Sequence, residues 1–200
     1  EGHYGGAIAP FTMAAATPWG AAINFHGHGS HGIRAFFLEC LRFWLEDVGF
    51  DRVRMDAVSV IVDLSPVNIL RAFTDLAREV GARQGRTILT IAEHLRNDRH
   101  VTAPEGIGYD SQWNDDLAHA VFALLTGETW RHYRNFGGFD EVVKALQDGF
   151  VMDGSRYRHV NGCYTGTDGR GTPGTHHVVH VQNHDQVGNR AFGERLGRLA

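Results

Sequence analysis

Cysteine is scarce in this chain. Its 200 residues hold two, Cys40 and Cys163, far apart in sequence. That count and spacing exclude a disulfide framework and a cysteine-based metal knuckle. Cys40 lies in an apolar helical stretch and is expected to be a buried thiol. No apolar run is long enough to span a bilayer, so no membrane partner is expected. No signal-peptide pattern stands at the start. Residue 1 is Glu, which leaves an upstream leader open, and a cytoplasmic location is the default expectation. No basic run occurs and the formal net charge is -4, so nothing suggests a nucleic-acid surface. Internal repeats and low-complexity segments are also missing. What is present, 42% hydrophobic and 21% charged residues, is the make-up of a globular protein with enough chain for one domain and a real core.

Read in order, residues 1–32 are rich in Gly, Ala and His and read as loop. His26, His28 and His31 cluster in a glycine-rich turn. Exposed turn histidines explain them more simply than a metal site does, and neither metal nor cofactor is expected. Residues 32–48 carry Ile33, Phe37, Leu41, Trp44, Leu45 and Val48 at helical spacing, with Gly49 as the stop. Ser65-Pro66 reads as the start of a second helix, which runs to about Val80 and ends at Gly81. Arg86 to Ala92 is a β-rich run that delivers Glu93. Residues 94–112 read as a polar loop with a short strand near Ser111 to Trp113. Asn114 or Asp115 then starts a helix that ends at Gly127. Asp140 is the expected cap of a further helix, closed by Gly149. Seven glycines between Gly149 and Gly174 mark a second long loop. Val178 to Gln182 is a last β run, leading into Asn183-His184-Asp185-Gln186. Alternation of β and α elements implies an α/β fold with a parallel sheet.

The stretch Gly49 to Val58, GFDRVRMDAV, organises the rest. Val53, Met55 and Ala57 alternate with Arg54 and Asp56 at the period of a strand. A strand between helices is normally covered on both faces. A guanidinium and a carboxylate on one side of it need each other, a ligand or a wet cleft. Asp56, Glu93 and Asp185 each end a predicted strand, which is the functional end of parallel α/β sheets and barrels. Two carboxylates across a glycosidic bond can hydrolyse it: one attacks or holds water, and the other donates a proton. Arg54 favours an ionised Asp56. The apolar run before Glu93 favours a protonated acid there. Asp185 is open to two readings, sugar binding or a helix cap, and Arg54 to a purely structural one.

At these residues the chain resembles the α-amylase superfamily of retaining glycoside hydrolases. GFDRVRMDA resembles its nucleophile segment, Ile91-Ala92-Glu93 its acid/base segment, and Asn183-His184-Asp185 the segment of its third acid. Within the superfamily the chain is most similar to the malto-oligosyltrehalose trehalohydrolases. Thr17 to Phe25, Arg96-Asn97-Asp98, Tyr109 to Asp116, Leu124 to Glu128 and Gln182 to Leu196 carry that likeness. The resemblance implies a malto-oligosaccharide substrate ending in trehalose, cut at the α-1,4 bond to release trehalose, in trehalose biosynthesis from glucans. It implies Asp56 as nucleophile, Glu93 as acid/base and Asp185 as transition-state stabiliser. Arg54, His184, Trp113, Asn114, Asp115, Gln186 and Asn189 would contact substrate, although core packing remains open for Trp113. His26 stands where the family has an acid, and Ser59 where a histidine commonly follows the nucleophile.

The resemblance also implies incomplete coverage. The chain would supply part of a (β/α)8 TIM barrel, from the loop after the third strand to the end of the seventh. Residues 1–200 would then be a fragment of the catalytic domain, with the flanking β domains and remaining strands absent. Another superfamily activity (glucan branching or α-amylase) and an inactive carbohydrate-binding remnant are the alternatives.

Overall fold

A computed structural model describes residues 11–159 and 162–200. The loop expected over residues 1–10 lies outside them. The chain divides into two compact units. The first comprises the described residues through Glu93 together with His100–Asp110, and the second comprises His94–Arg99 with Ser111–Ala200.

The first unit opens with an antiparallel hairpin, β1 (Thr12–Thr17) and β2 (Gly20–Ile23), where a loop was expected. The alanine-rich TMAAAT has no apolar alternation to announce a strand. Its turn does have a signal: Thr17 Oγ1 accepts from Trp19 N and donates to Gly20 O, and Gly20 takes a φ of 120°. Helix α1 (Ser30–Glu46) follows, close to its expected span. It buries Ile33, Leu41 and Leu45. Cys40 is on the outward face and exposed, so the expectation of a buried thiol is overturned. The position lies one residue off the buried stripe.

Strand β3 (Arg52–Met55) is shorter than GFDRVRMDAV suggested. Ala57 adopts a left-handed backbone, φ 48°, which turns the chain immediately past Asp56. Helix α2 (Ile69–Gln84) starts four residues beyond Ser65. Its cap is Asn68, whose side chain accepts from Leu70 N at 2.8 Å. Asp63, not Ser65, anchors this entry: its carboxylate accepts from Ser65 N at 2.9 Å and Ile69 N at 2.6 Å. The helix also runs through Gly81 and stops at Gly85, φ 65°. Gly81 is needed for a close approach instead. A Cβ there would lie 2.7 Å from the Arg86 carbonyl oxygen. Ile69, Leu70, Phe73, Leu76, Ala77 and Val80 line one face of α2 and join Leu41, Leu45, Ile88 and Ala92 in the core. Strand β4 (Leu89–Ala92) pairs parallel with β3, Arg54 opposite Ile91 and Met55 opposite Ala92.

The second unit has β5 (Ser111–Trp113) parallel to β8 (His177–Val178), in register Gln112 with His177 and Trp113 with Val178. Helix α3 (Asp115–Thr126) is capped by Asn114, as expected, and closed by Gly127. Helix α4 (Phe139–Asp148) starts one residue before Asp140. Its entry is fixed by Glu141, which accepts from Gly138 N at 2.9 Å. The glycine-rich loop contains a small antiparallel hairpin, β6 (Tyr157–Arg158) with β7 (Cys163–Tyr164). The β run expected over Val178 to Gln182 ends at Val178, and α5 (His184–Gly188) begins at the Asn183 cap. The α/β class with parallel strand pairing therefore stands, and several element boundaries moved.

Candidate active site

Three of the expected site residues meet in the first unit. Glu93 N donates to Met55 O at 2.9 Å, and Val58 N to Glu93 O at 3.0 Å. These main-chain bonds continue the parallel pairing past the ends of β3 and β4. They set Asp56 and Glu93 side by side at the C-terminal ends of adjacent strands. Arg54 reaches both: Nη1 lies 2.8 Å from Asp56 Oδ1, and Nη2 lies 2.9 Å from Glu93 Oε2. A planar guanidinium can hold two carboxylates at once, whereas an ammonium is a point charge. The left-handed turn at Ala57 adds a contact the sequence did not announce. Ala57 N donates to Glu93 Oε2 at 2.9 Å.

The two acids differ in exposure. The Asp56 side chain is 54% exposed and that of Glu93 is 11% exposed. Burial pushes the Glu93 carboxyl up from 4.5 to about 7, helped by its hydrogen bond with Asp56. The Ala57 amide and the Arg54 charge pull the other way but do not win. A carboxyl half-protonated near neutral pH, beside a solvent-facing carboxylate, can donate a proton in one step and accept one in the next. Next along, His94 is buried, and burial lowers its imidazole to about 4.

The remaining expected residues belong to the second unit. Asn183 caps α5, accepting from Asp185 N at 2.9 Å, while its own N–H donates to Gln186 Oε1 at 2.6 Å. Asn189 Nδ2 donates to Asp185 O at 2.9 Å. The motif thus ties down its own backbone and leaves the Asp185 carboxylate half exposed, 3.6 Å from His184 Nε2. The Trp113 ring lies 6.0 Å from that of His184 and 5.5 Å from that of His180. Asn114 and Asp115 are buried. The amide of Asn114 accepts from Leu117 N and donates to Gly149 O at 2.6 Å. Burial opposes ionisation of Asp115, but the His180 hydrogen bond and nearby positive charges hold its carboxyl below the usual range. Asn114 and Asp115 therefore carry structural contacts of their own.

One link joins two stretches singled out in the sequence. Arg190, within QNHDQVGNR, contacts both carboxylate oxygens of Glu128, within LLTGE, at 3.0 and 3.2 Å. Opposite charges in two separate stretches were the available signal, but nothing in the sequence paired them. Among the described residues no group of three or more His, Cys, Asp or Glu is arranged to hold a metal ion. No helix among them is long and apolar enough to cross a membrane.

Comparison with known proteins places this geometry. No family model matches the sequence. A malto-oligosyltrehalose trehalohydrolase from Saccharolobus solfataricus is 38% identical over 203 residues, covering 100% of this chain and 35% of the relative. A 1,4-alpha-glucan branching enzyme from Marinobacter nauticus is 24% identical over 164 residues, 72% of this chain and 26% of the relative. A crystal structure of a candidate alpha amylase from Salmonella typhimurium matches with a TM-score of 0.83 at 32% identity, over 95% of this chain and 33% of that one. Parallel strands ending in paired acids, with these likenesses, belong to the α-amylase-type enzymes. Within that class the chain is similar over its length to the malto-oligosyltrehalose trehalohydrolases and spans about a third of the length of the relatives it matches.

Proposed function

We propose that this chain carries the acid machinery of a retaining glycoside hydrolase acting on malto-oligosyltrehalose. The bond cut is the α-1,4 link that joins a terminal trehalose to the malto-oligosaccharide, and the reaction serves trehalose formation from glucans. The observation that carries the reading is the Arg54 bridge between an exposed Asp56 and a buried Glu93 whose proton is held to about pH 7. In the first step an Asp56 oxygen attacks the anomeric carbon. The glycosidic bond breaks as the Glu93 proton moves to the leaving oxygen. In the second step Glu93 takes a proton from water, whose oxygen displaces Asp56 and restores the starting configuration.

Asp185 is assigned to stabilise the positive charge that develops on the sugar. His184, Trp113, Gln186 and Asn189 are assigned to the substrate groove. In this reading β3, β4, β5 and β8 are the fourth to seventh strands of a (β/α)8 barrel. The supporting features are the parallel pairing and the position of Asp56 and Glu93 one residue past the ends of β3 and β4; Asp185, expected at a strand end, lies instead on α5, beyond β8. A second reading, transfer to a glucan hydroxyl instead of water, draws on the branching-enzyme likeness. It shares every step up to the glycosyl-enzyme. Incubating the protein with malto-oligosyltrehalose and, separately, with plain malto-oligosaccharide decides between them. Preferential release of free trehalose is expected. New branch points or equal cleavage of both substrates would overturn the assignment.

A further inference from the structure

The second unit holds a histidine that the chemistry proposed above does not use. His180 stands two residues past the end of β8. Asn114 N donates to Val178 O at 3.0 Å, so the pairing of β5 with β8 continues past Trp113 and brings the start of α3 beside His180. The imidazole is 15% exposed, and its ring packs 5.5 Å from that of Trp113. Its Nε2 atom has two claimants. Asn183 Nδ2 is 3.2 Å away and Asp115 Oδ1 is 3.4 Å away. Asp115, His180, Asn183 and Asp185 all belong to the second unit.

One nitrogen cannot serve both. A bare Nε2 accepts a hydrogen bond, and a protonated one donates. The Asn183 side chain has one acceptor arm and one donor arm. Its Oδ1 faces Asp185 N at 2.9 Å and Gln186 N at 3.5 Å, both donors, so the arm at His180 is the NH2. The Asp115 carboxylate, held below its usual range, only accepts. A bare Nε2 therefore takes the Asn183 arm, and a protonated one turns to Asp115 and leaves that arm unserved. We infer that His180 is a positioning residue for Asp185: its bare Nε2 holds the donor arm of Asn183, which keeps the acceptor arm on the first turn of α5 and so aims the Asp185 carboxylate. A proton on Nε2 passes the hold to Asp115 and frees the cap. The charged and titratable groups that bear on this choice are Asp115 and His119 of α3, Arg158 of β6 and, beyond Trp113, His184 with Asp185 on α5. The inference rests on the assignment of Asp185 to the reaction and adds a residue that works through Asn183.

Nitrogen NMR of the labelled wild-type protein at neutral pH reads the ring directly. The His180 signal, identified by its loss in His180→Gln, is expected to show the proton on Nδ1 and a bare Nε2. Amide hydrogen exchange and kinetics then read the consequence. His180→Phe keeps a ring beside Trp113 but offers no acceptor. It should speed exchange of the Asp185 amide about fivefold, the worth of one hydrogen bond, and lower kcat for trehalose release severalfold with KM kept. His180→Gln, whose amide oxygen can stand in for Nε2, should restore both. A proton on Nε2 at neutral pH overturns the inference. So does Asp185 exchange that His180→Phe leaves unchanged, or a His180→Gln no better than His180→Phe. Faster exchange in His180→Phe, with no trehalose release from wild type, leaves the positioning contact and removes the proposed activity. Trehalose release with exchange and kcat unchanged in His180→Phe does the reverse.

Discussion

At the residue scale the proposed chemistry turns on one guanidinium and two carboxyls. Arg54 holds Asp56 and Glu93 within hydrogen-bond distance of itself, and only a planar fork does this without losing one of them. Arg54→Lys is therefore expected to lower kcat/KM about a hundredfold with the fold retained, as steady-state kinetics and circular dichroism would show. Glu93 sets the pH behaviour. Its folded-state pKa is raised from 4.5 to about 7, so the protonated acid needed for the first step is lost as pH rises through about 7. The alkaline limb of kcat/KM should fall there, and Glu93→Gln should remove that limb together with a factor of about 10² to 10⁴ in rate. Stability follows the same proton. The folded state keeps it while the unfolded chain releases it near 4.5. Glu93 therefore contributes fully below that pH, and the contribution fades as pH rises through about 7, to a total of about 3 kcal/mol. Urea titrations of wild type and Glu93→Gln across this range should diverge accordingly. The alternation in DRVRMDA made the Arg54–Asp56 pair legible in the sequence. The Glu93 contact with the Ala57 amide was not, because it depends on a left-handed backbone at a non-glycine residue.

At the element scale the sequence marks types better than ends. A glycine after an apolar helical run is expected to stop the helix, and Gly85 does so, with positive φ and no neighbour near its Cβ position. Gly81 is a different use of the same residue. It sits inside α2 because the Arg86 carbonyl comes back against it, a tertiary fact that no local pattern carries. Gly81→Ala should thus destabilise the protein by about 1 to 3 kcal/mol, whereas the same change in an open part of a helix would stabilise it. Thermal or urea unfolding measures this directly. The entry of α2 lies beyond Ser65 for a similar reason: Asn68 caps the helix, and the buried Asp63 carboxylate braces the approach from outside it. The Asn183-His184-Asp185-Gln186 segment is a self-contained capping box on a short helix. Asn183→Ala is expected to cost about 1 kcal/mol of stability and to lower kcat by releasing the backbone that aims Asp185.

At the scale of the whole molecule each unit has its own core, and the two cores differ in quality. The first is built on large side chains, with Phe25, Leu41, Leu45, Ile69, Leu70, Phe73, Leu76 and Val80 buried together. The second has Leu117, Phe136, Val151 and Met152 with three alanines, Ala120, Ala123 and Ala145. Less apolar area removed from water means a lower local opening free energy. Native-state hydrogen exchange should find the amides of α2 the slowest, with those of α4 exchanging at least about tenfold faster. Equal protection in both would contradict this ranking. In the second unit the polar network around Asp116, which accepts from Asn97, Val151 and Met152, supplies order that its small apolar core does not.

In the proposed reaction Asp56 is the nucleophile and Glu93 its acid/base partner. Trapping tests it most directly. The protein is incubated with a fluorinated α-maltosyl fluoride, whose glycosyl-enzyme breaks down slowly, then digested and read by mass spectrometry. One glycosyl adduct is expected, on the peptide that contains Asp56, absent from Asp56→Asn and still formed by Glu93→Gln because fluoride leaves without a proton. An adduct on Glu93 or Asp185, or turnover of the reagent with inversion and no adduct, would contradict it.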